Sequence, residues 1–160
     1  TIVEHTKAEI ARDIEGTMRT VAPDPDYTLR SSAMKRPKGW QEVTAFYRQM
    51  FASGGLDNMA IRDDACRRLI ACDEAVVIEM VMTSHLPGRL ARDRGYSIPD
   101  LHAHYARHSH LVVLVPFDPK GRMLGEIPYG QIVPSDWDRI PDDKLSPGYL
   151  NWVRRYATSA

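Results

Sequence analysis

One long extended segment constrains the fold more than any other part of this 160-residue chain. From Ala75 to His85 the sequence reads AVVIEMVMTSH, and apolar residues occupy both alternating sets of positions. Such a strand is typically covered on both faces. A strand of about eleven residues spans roughly 36 Å, whereas a domain of this length has a radius of gyration of about 15 Å. The strand must therefore cross the whole molecule.

The neighbouring segments predict further antiparallel strands. Residues 60–72 are separated from the long strand only by Asp73-Glu74, which is typical of a tight hairpin. A second hairpin is predicted between residues 108–118 and 122–131, with Pro119-Lys120-Gly121 as its loop. Long antiparallel strands in so small a body have to twist and curl.

Helical periodicity appears on either side of these strands. One helix is predicted over residues 3–21, and the Pro-rich stretch after it leaves no room for a second helix before a short strand at 27–31. A second helix is predicted over residues 41–52, and a third begins at Ser146-Pro147. The apolar residues that define the first helix are Ile10, Ile14, Met18 and Val21.

These elements predict an α+β fold. We expect a curved mixed, mostly antiparallel sheet wrapped around helices, which together form a cone with an interior pocket. The chain has no repeats and no internal boundary, so residues 1–160 are expected to form a single domain.

Three segments carry a family resemblance. Gly39-Trp40 leads into QEVTAFYRQMF, and the stretches DEAVVIEMVMTSHLPG and LVVLVPFDPKGRMLGEIPYG follow in that order. This arrangement resembles the nuclear transport factor 2-like superfamily, and within it the SnoaL-like polyketide cyclases and scytalone dehydratase. The likeness covers most of residues 4–132. Relatives that cyclise polyketides or isomerise steroids use an Asp base on the interior sheet face, for which this sequence offers no counterpart.

The resemblance places His85 where scytalone dehydratase holds a catalytic histidine. An imidazole with a pKa near 6.5 can accept a proton from carbon or oxygen near neutrality. Val81 and Thr83 share its side of the strand and are predicted to contact a ligand. The alternative is a hydrogen-bonded histidine at the end of a strand.

Four of the six histidines lie between residues 102 and 110. If this segment is extended, all four share one face, and if it is helical, His104 and His108 pair at i and i+4. We predict His110 to lie inside the sheet and to take part in acid–base chemistry, because it borders the apolar run LVVLV. A His-x-His pair could bind a metal only with a third ligand, and we predict no metal. The candidate third ligands, by residue type alone, are Glu79, Asp118 and Glu126.

Three further side chains are candidates for the site. Glu79 lies among apolar residues, so an unpaired carboxyl there would have a raised pKa, unless Arg67 or Arg68 forms a salt bridge with it. Tyr129 and Tyr47 could donate hydrogen bonds to a ligand carbonyl or enolate, although tyrosines at such positions are often packed aromatics.

Composition excludes several kinds of partner. The 21 Lys and Arg residues balance the 21 Asp and Glu residues, so nothing indicates nucleic-acid binding. No apolar run approaches the ~20 residues of a membrane span, and the charged N-terminal residues favour a cytoplasmic protein. No glycine-rich phosphate loop, nucleophile elbow or redox Cys-x-x-Cys occurs, so no cofactor is expected.

The sequence thus predicts a homodimer that binds a small apolar, oxygenated molecule in an interior cavity. The expected chemistry is cofactor-free proton transfer, namely dehydration, isomerisation or cyclisation. The predicted catalytic residues are His85, His110, Glu79 and Tyr129, and the predicted ligand contacts are Tyr47, Val81 and Thr83. The alternative is a non-catalytic ligand-binding or dimerisation module with a filled interior.

Overall fold

A computed structural model describes residues 1–27, 37–60 and 65–159 of the chain. The helices are α1 (Ile2–Ala11), α2 (Ile14–Arg19), α3 (Gly39–Ala52), α4 (Gly88–Asp93) and α5 (Pro147–Ser159). The strands are β1 (Met59–Ala60), β2 (Cys66–Ala71), β3 (Ala75–Pro87), β4 (His104–Pro116) and β5 (Ile127–Ile140), and a 3₁₀ turn covers Asp142–Lys144.

The strands form one sheet in the order β1-β3-β4-β5, and β2 pairs with β3 beside β1. Every pair of these strands is antiparallel. β3 and β4 pair along their whole length, and a register shift at Arg107/Ser109 interrupts the pairing of β4 with β5. An irregularity of this kind increases the local bend of a sheet. The curled sheet with its helices confirms the predicted α+β fold class.

Both predicted hairpins are present. The first is confirmed, because the Cys72 N–H donates to the Ala75 carbonyl across the Asp73-Glu74 loop, although residues 61–64 lie outside the described part of the chain. In the second, Met123 forms an antiparallel bridge to Phe117 and the Asp118 N–H donates to the Arg122 carbonyl, so the chain turns at Pro119-Lys120-Gly121 as predicted. The continuous strand β5 begins only at Ile127, because Met123 also bridges to Val21.

The first helix is a correction to the sequence analysis. Arg12 has a φ of 56° and ends α1, and the Asp13 side chain accepts from the Gly16 N–H and caps α2. A second helix therefore does precede the sheet. Apolar periodicity misses the break because Ile10, which is 46% exposed, stays in phase with Ile14 across it. The predicted strand at 27–31 lies outside the described residues beyond Tyr27.

The other two helix predictions are confirmed, since α3 contains residues 41–52 and α5 begins at Pro147. Gly39 starts α3 with a φ of 74°, a conformation that favours glycine.

Helix α1 is held by residues that follow much later in the chain. The Thr1 hydroxyl donates to the Gly121 carbonyl at 2.7 Å. At the other end of α1, Arg12 pairs with Asp57, which also pairs with Arg155 of α5. The Asp57 side chain is mostly buried, and its two ion pairs connect α1 with α5.

Buried apolar residues form two clusters. The first involves α2 and α3 and consists of Met18, Val21, Tyr27, Val43 and Tyr47. The second involves α4 and the ends of β3 and β4 and consists of Leu86, Leu90, Ala91, Ile98, Ala103 and Tyr105.

Alternation along β3 defines the two faces of the sheet. The face that carries Leu86 is called the Leu86 face, and register places Tyr105, Arg107 and Ser109 of β4 on it. The opposite face, which carries His85, is called the His85 face.

Candidate functional site

Four of the predicted site residues lie together on the His85 face. Glu79, Val81, His110 and Tyr129 line an open recess of about 350 Å³. Register explains the grouping, because Val81 is opposite His110 and Val112 lies between Glu79 and Tyr129. His110 is exposed, so its predicted position inside the sheet is wrong. The even-numbered residues around it in β4 belong to the face that this part of the sheet turns to solvent.

Glu79 forms the salt bridge that the sequence analysis gave as the alternative. Its carboxylate lies 3.1 Å from the Arg68 guanidinium, and both side chains are substantially exposed. Glu79 is therefore a paired surface carboxylate in this structure rather than an unpaired carboxyl in a cavity.

His85 lies farther along the same face, beneath α5. It is six positions from Glu79 in β3, which corresponds to roughly 20 Å along the strand. The predicted base and its predicted carboxyl partner thus cannot act together on one small molecule.

Tyr149 of α5 is the centre of a histidine cluster that includes His85. The ring of Tyr149 is edge-on to His85 and His104, with centroids 5.5 and 5.4 Å away. Its hydroxyl is 2.8 Å from Nδ1 of His104. Burial lowers the pKa of His85, and the nearby His108 and His104 lower it further. Burial likewise lowers the pKa of His104, so both imidazoles are neutral at neutral pH.

Residues 104–110 belong to β4 and are extended, which is one of the two alternatives for the histidine segment. Nδ1 of His108 is 3.0 Å from the Thr83 hydroxyl, and its Nε2 is 3.2 Å from the Asp138 carboxylate. His102 precedes the strand and is exposed. Tyr149, His85, His104, His108 and Thr83 are together called the Tyr149 cluster.

A second polar cluster surrounds the buried side chain of His5. Nδ1 of His5 is 2.6 Å from the Thr20 hydroxyl, and Nε2 is 2.9 Å from the Tyr47 hydroxyl. The Thr20 hydroxyl donates to the Thr17 carbonyl, and the Tyr47 hydroxyl donates to Tyr27. Since each hydroxyl gives its single proton to another acceptor, both can accept from His5. An imidazolium, with a proton on each ring nitrogen, fits this pattern.

Two carboxylates complete this His5 cluster. Oε1 of Glu9 and of Glu126 lie 3.5 and 3.8 Å from Nε2 of His5. Burial lowers the pKa of His5, but hydrogen bonding to Glu9 and the charges of Glu9 and Glu126 outweigh it and leave that pKa raised. Burial also raises the pKa values of Tyr27 and Tyr47, so both hydroxyls remain protonated.

Within the His5 cluster, Glu126 has a carboxyl pKa that is shifted toward neutrality. Burial, and then the charge of Glu9, raise the pKa of Glu126 from 4.5 to about 7, although His5 opposes the shift. Even so, 31% of its side chain remains accessible. Glu126 is therefore a carboxyl that can either give or take a proton near neutrality and that another molecule can reach.

The His5 cluster also has the spacing of a metal site. One ligand atom each from His5, Glu9 and Glu126 lies within 4.8 Å of the others. In the part of the chain that the structure describes, the histidines around Tyr149 do not form a comparable group of three ligands. A cation would have to displace the proton on Nε2 of His5, because a ligating imidazole nitrogen is deprotonated.

The His5 cluster was not among the predicted sites. His5 was predicted only as part of a helix, and Glu126 only as a carboxylate of suitable type. The available signal was the i, i+4 spacing of His5 and Glu9 on one helix face. Nothing local to either segment indicates that Glu126 packs against that face.

Solved structures with the same architecture identify the fold. A protein from Shewanella denitrificans OS-217, named as a SnoaL-like polyketide cyclase, has a TM-score of 0.56 at 14% identity, over 81% of this chain and 87% of that one. The epoxide hydrolase/cyclase-like enzyme SalBIII of salinomycin formation has a TM-score of 0.54 at 8% identity, over 87% and 92% of the two chains. A protein with a ketosteroid isomerase-like fold from Catenulispora acidiphila DSM 44928 has a TM-score of 0.51 at 12% identity, over 80% and 82%.

The chain therefore has the nuclear transport factor 2-like fold, as the resemblance implied. No family model and no curated protein matches the sequence. Among the described residues, no helix combines the length and apolar character that crossing a membrane requires.

Proposed function

We propose that this protein binds a small apolar, oxygenated molecule and catalyses proton transfer on it without a cofactor, by dehydration, isomerisation or cyclisation. One observation carries the proposal: the carboxyl of Glu126 is accessible and has a pKa of about 7. A base whose pKa lies near the working pH gives the most efficient proton transfer. The names of the similar structures, a polyketide cyclase and an epoxide hydrolase/cyclase-like enzyme, support this class of chemistry.

In this proposal Glu126 is the catalytic residue and His5 is a positioning residue. The Glu126 carboxylate takes a proton from a carbon or hydroxyl of the ligand, and the protonated carboxyl can return it at another atom. His5 is buried and cannot touch a ligand, but its positive charge stabilises the ionised form of Glu126. Hydrogen bonds from His5 to Thr20 and Tyr47 fix the orientation of that charge.

His85 is a second candidate base. The observation in its favour is the neutral imidazole, which can accept a proton and lies against the Tyr149 ring. Val81 and Thr83 are on the same strand face and would be its ligand contacts. His110, Glu79 and Tyr129 would then act in the separate recess rather than beside His85.

We also propose that a second copy of the chain packs on the recess. Ile70, Val112 and Tyr129 share the His85 face and are 61%, 40% and 43% exposed. Exposed apolar residues grouped on one sheet face are typical of an interface. This assembly is compatible with catalysis and equally with a non-catalytic module.

Deuterium uptake tests the catalytic proposal without a known substrate. A panel of cyclic ketones and β-hydroxyketones is incubated in D₂O with the protein, and exchange or dehydration is followed by mass spectrometry. The rate of the wild-type protein should rise with pH through about 7 and should survive EDTA. Glu126→Gln should lower the rate about 10²- to 10⁴-fold.

The controls separate the alternatives. Glu4→Gln removes an exposed carboxylate from α1 and should leave the rate unchanged. Loss of activity in His85→Ala, with Glu126→Gln fully active, would transfer the reaction to the Tyr149 cluster. If the wild-type protein catalyses no exchange on any compound of the panel, the non-catalytic module is the better description.

A further inference from the structure

Arg107 occupies the middle of the sheet on the Leu86 face. It lies opposite Ser84 of β3 and Trp137 of β5, at the register shift in β4. Its side chain is partly buried. At about 3.3 Å per residue, Arg107 stands roughly 25 Å along β4 from Val115, near the end where Glu126 lies. A small molecule at Arg107 thus cannot also touch Glu126.

The charge of Arg107 has almost no partner within the described residues. Its hydrogen bond runs from Nη1 to the Tyr96 hydroxyl at a long 3.4 Å. Nε is buried and has no partner, and no carboxylate of the described residues pairs with the guanidinium. A guanidinium has five N–H donors, and leaving a buried donor such as Nε without an acceptor is unfavourable.

A second unpartnered group lies on the same face of the same strand. Ser109 is 2% exposed, and its hydroxyl has no hydrogen bond. The two positions are two residues apart, about 6.6 Å along the strand. Native proteins pair the great majority of buried polar atoms, so these two neighbouring groups are donors that a bound molecule could satisfy.

The surroundings define the chemistry of that group. Tyr96 packs on Trp137, with ring centroids 4.9 Å apart, and Met82 is opposite Ser109. The aromatic rings supply flat apolar surface beside a cation and a hydroxyl. A planar carboxylate matches the cation and the hydroxyl, because arginine binds carboxylates through paired hydrogen bonds. An aromatic or unsaturated group on the same molecule matches the aromatic rings.

We propose that Arg107 and Ser109 bind the carboxylate of a small aromatic or unsaturated acid, with Tyr96 and Trp137 against its apolar part. The carboxylate accepts from the guanidinium and from the Ser109 hydroxyl, which this structure leaves without a partner. The site is distinct from the His5 cluster and does not depend on the proposed reaction.

Binding of benzoate, with neutral benzamide as the matched probe, tests this proposal. Tryptophan fluorescence and the thermal midpoint are measured at constant ionic strength for the wild-type protein and three variants. Benzoate should change the emission and raise the midpoint, and benzamide should do neither. Arg107→Met should weaken benzoate binding about tenfold to a hundredfold, and Ser109→Ala should weaken it severalfold. Arg139→Gln, at an exposed arginine of β5, should bind as the wild type does.

The thermal stability of the protein without ligand gives an independent test of the proposal. Arg107→Met should unfold at the same or a higher temperature than the wild type, because it removes an unpaired charge. A variant that fails to fold would show that Arg107 already has a structural partner and would overturn the proposal. It is also overturned if benzoate has no effect on the wild type, acts no differently from benzamide, or binds Arg107→Met unchanged.

Discussion

Replacing Glu126 with glutamine should stabilise the protein, and by an amount that depends on pH. The folded protein holds the Glu126 proton up to a pH of about 7, whereas the unfolded chain releases it near 4.5. The stability that belongs to the protonated carboxyl is complete below the unfolded pKa and is lost as pH rises through the folded pKa. Glutamine keeps the shape of the protonated form and cannot ionise.

The size of the effect follows from the shift. A pKa raised from 4.5 to about 7 corresponds to about 3 kcal/mol, at about 1.4 kcal/mol per unit. Since 31% of the side chain is accessible, solvent screens part of this, and we expect about 2 kcal/mol. The free energy of unfolding of Glu126→Gln should therefore equal that of the wild-type protein at about pH 4 and exceed it by about 2 kcal/mol at about pH 8.

Urea unfolding at several pH values measures this difference. Glu4→Gln, at an exposed position of α1, reports the general effect of removing one negative charge. The reasoning is refuted if Glu126→Gln is destabilised at about pH 8, or if its difference from the wild type does not change with pH. Either result would mean that Glu126 is stabilised as a carboxylate, with His5 outweighing its burial.

Three further outcomes are expected. Asp13→Ala should lose the cap of α2 and cost about 1 kcal/mol in urea unfolding, while Asp13→Asn keeps most of it. Because the folded pKa values of His85 and His104 lie below their usual 6.5, these two groups oppose the stabilisation by Glu126 as pH drops below 6.5, and His104→Gln should gain stability relative to the wild type over that range in the same assay. Val112→Glu should convert a dimer into a monomer in sedimentation experiments, whereas an unchanged sedimentation coefficient would place the interface elsewhere.

The parts of the fold that could be predicted are those encoded by short-range patterns. The alternation from Ala75 onward specifies β3, and two turn residues specify its hairpin with β2. The break at Arg12 could not be predicted in this way, because it depends on one backbone angle and leaves the apolar periodicity in phase.

The site was harder to predict because burial of a strand face is decided by distant segments. His110 borders an apolar run, but whether its face is covered depends on where the helices pack. The same holds for Glu126, whose pKa depends on a helix more than a hundred residues earlier in the chain. Residue type and spacing gave candidate chemistry, and only the packing of α1 brings Glu126 to His5.

The attachments of α1 have a consequence for biosynthesis. Its contacts at Gly121, Glu126 and Asp57 all involve later segments, and Asp57 is shared with Arg155. During translation α1 leaves the ribosome before the segments that anchor it are made. Helix α1 must therefore wait for α5 before the shared ion pairs at Asp57 are complete.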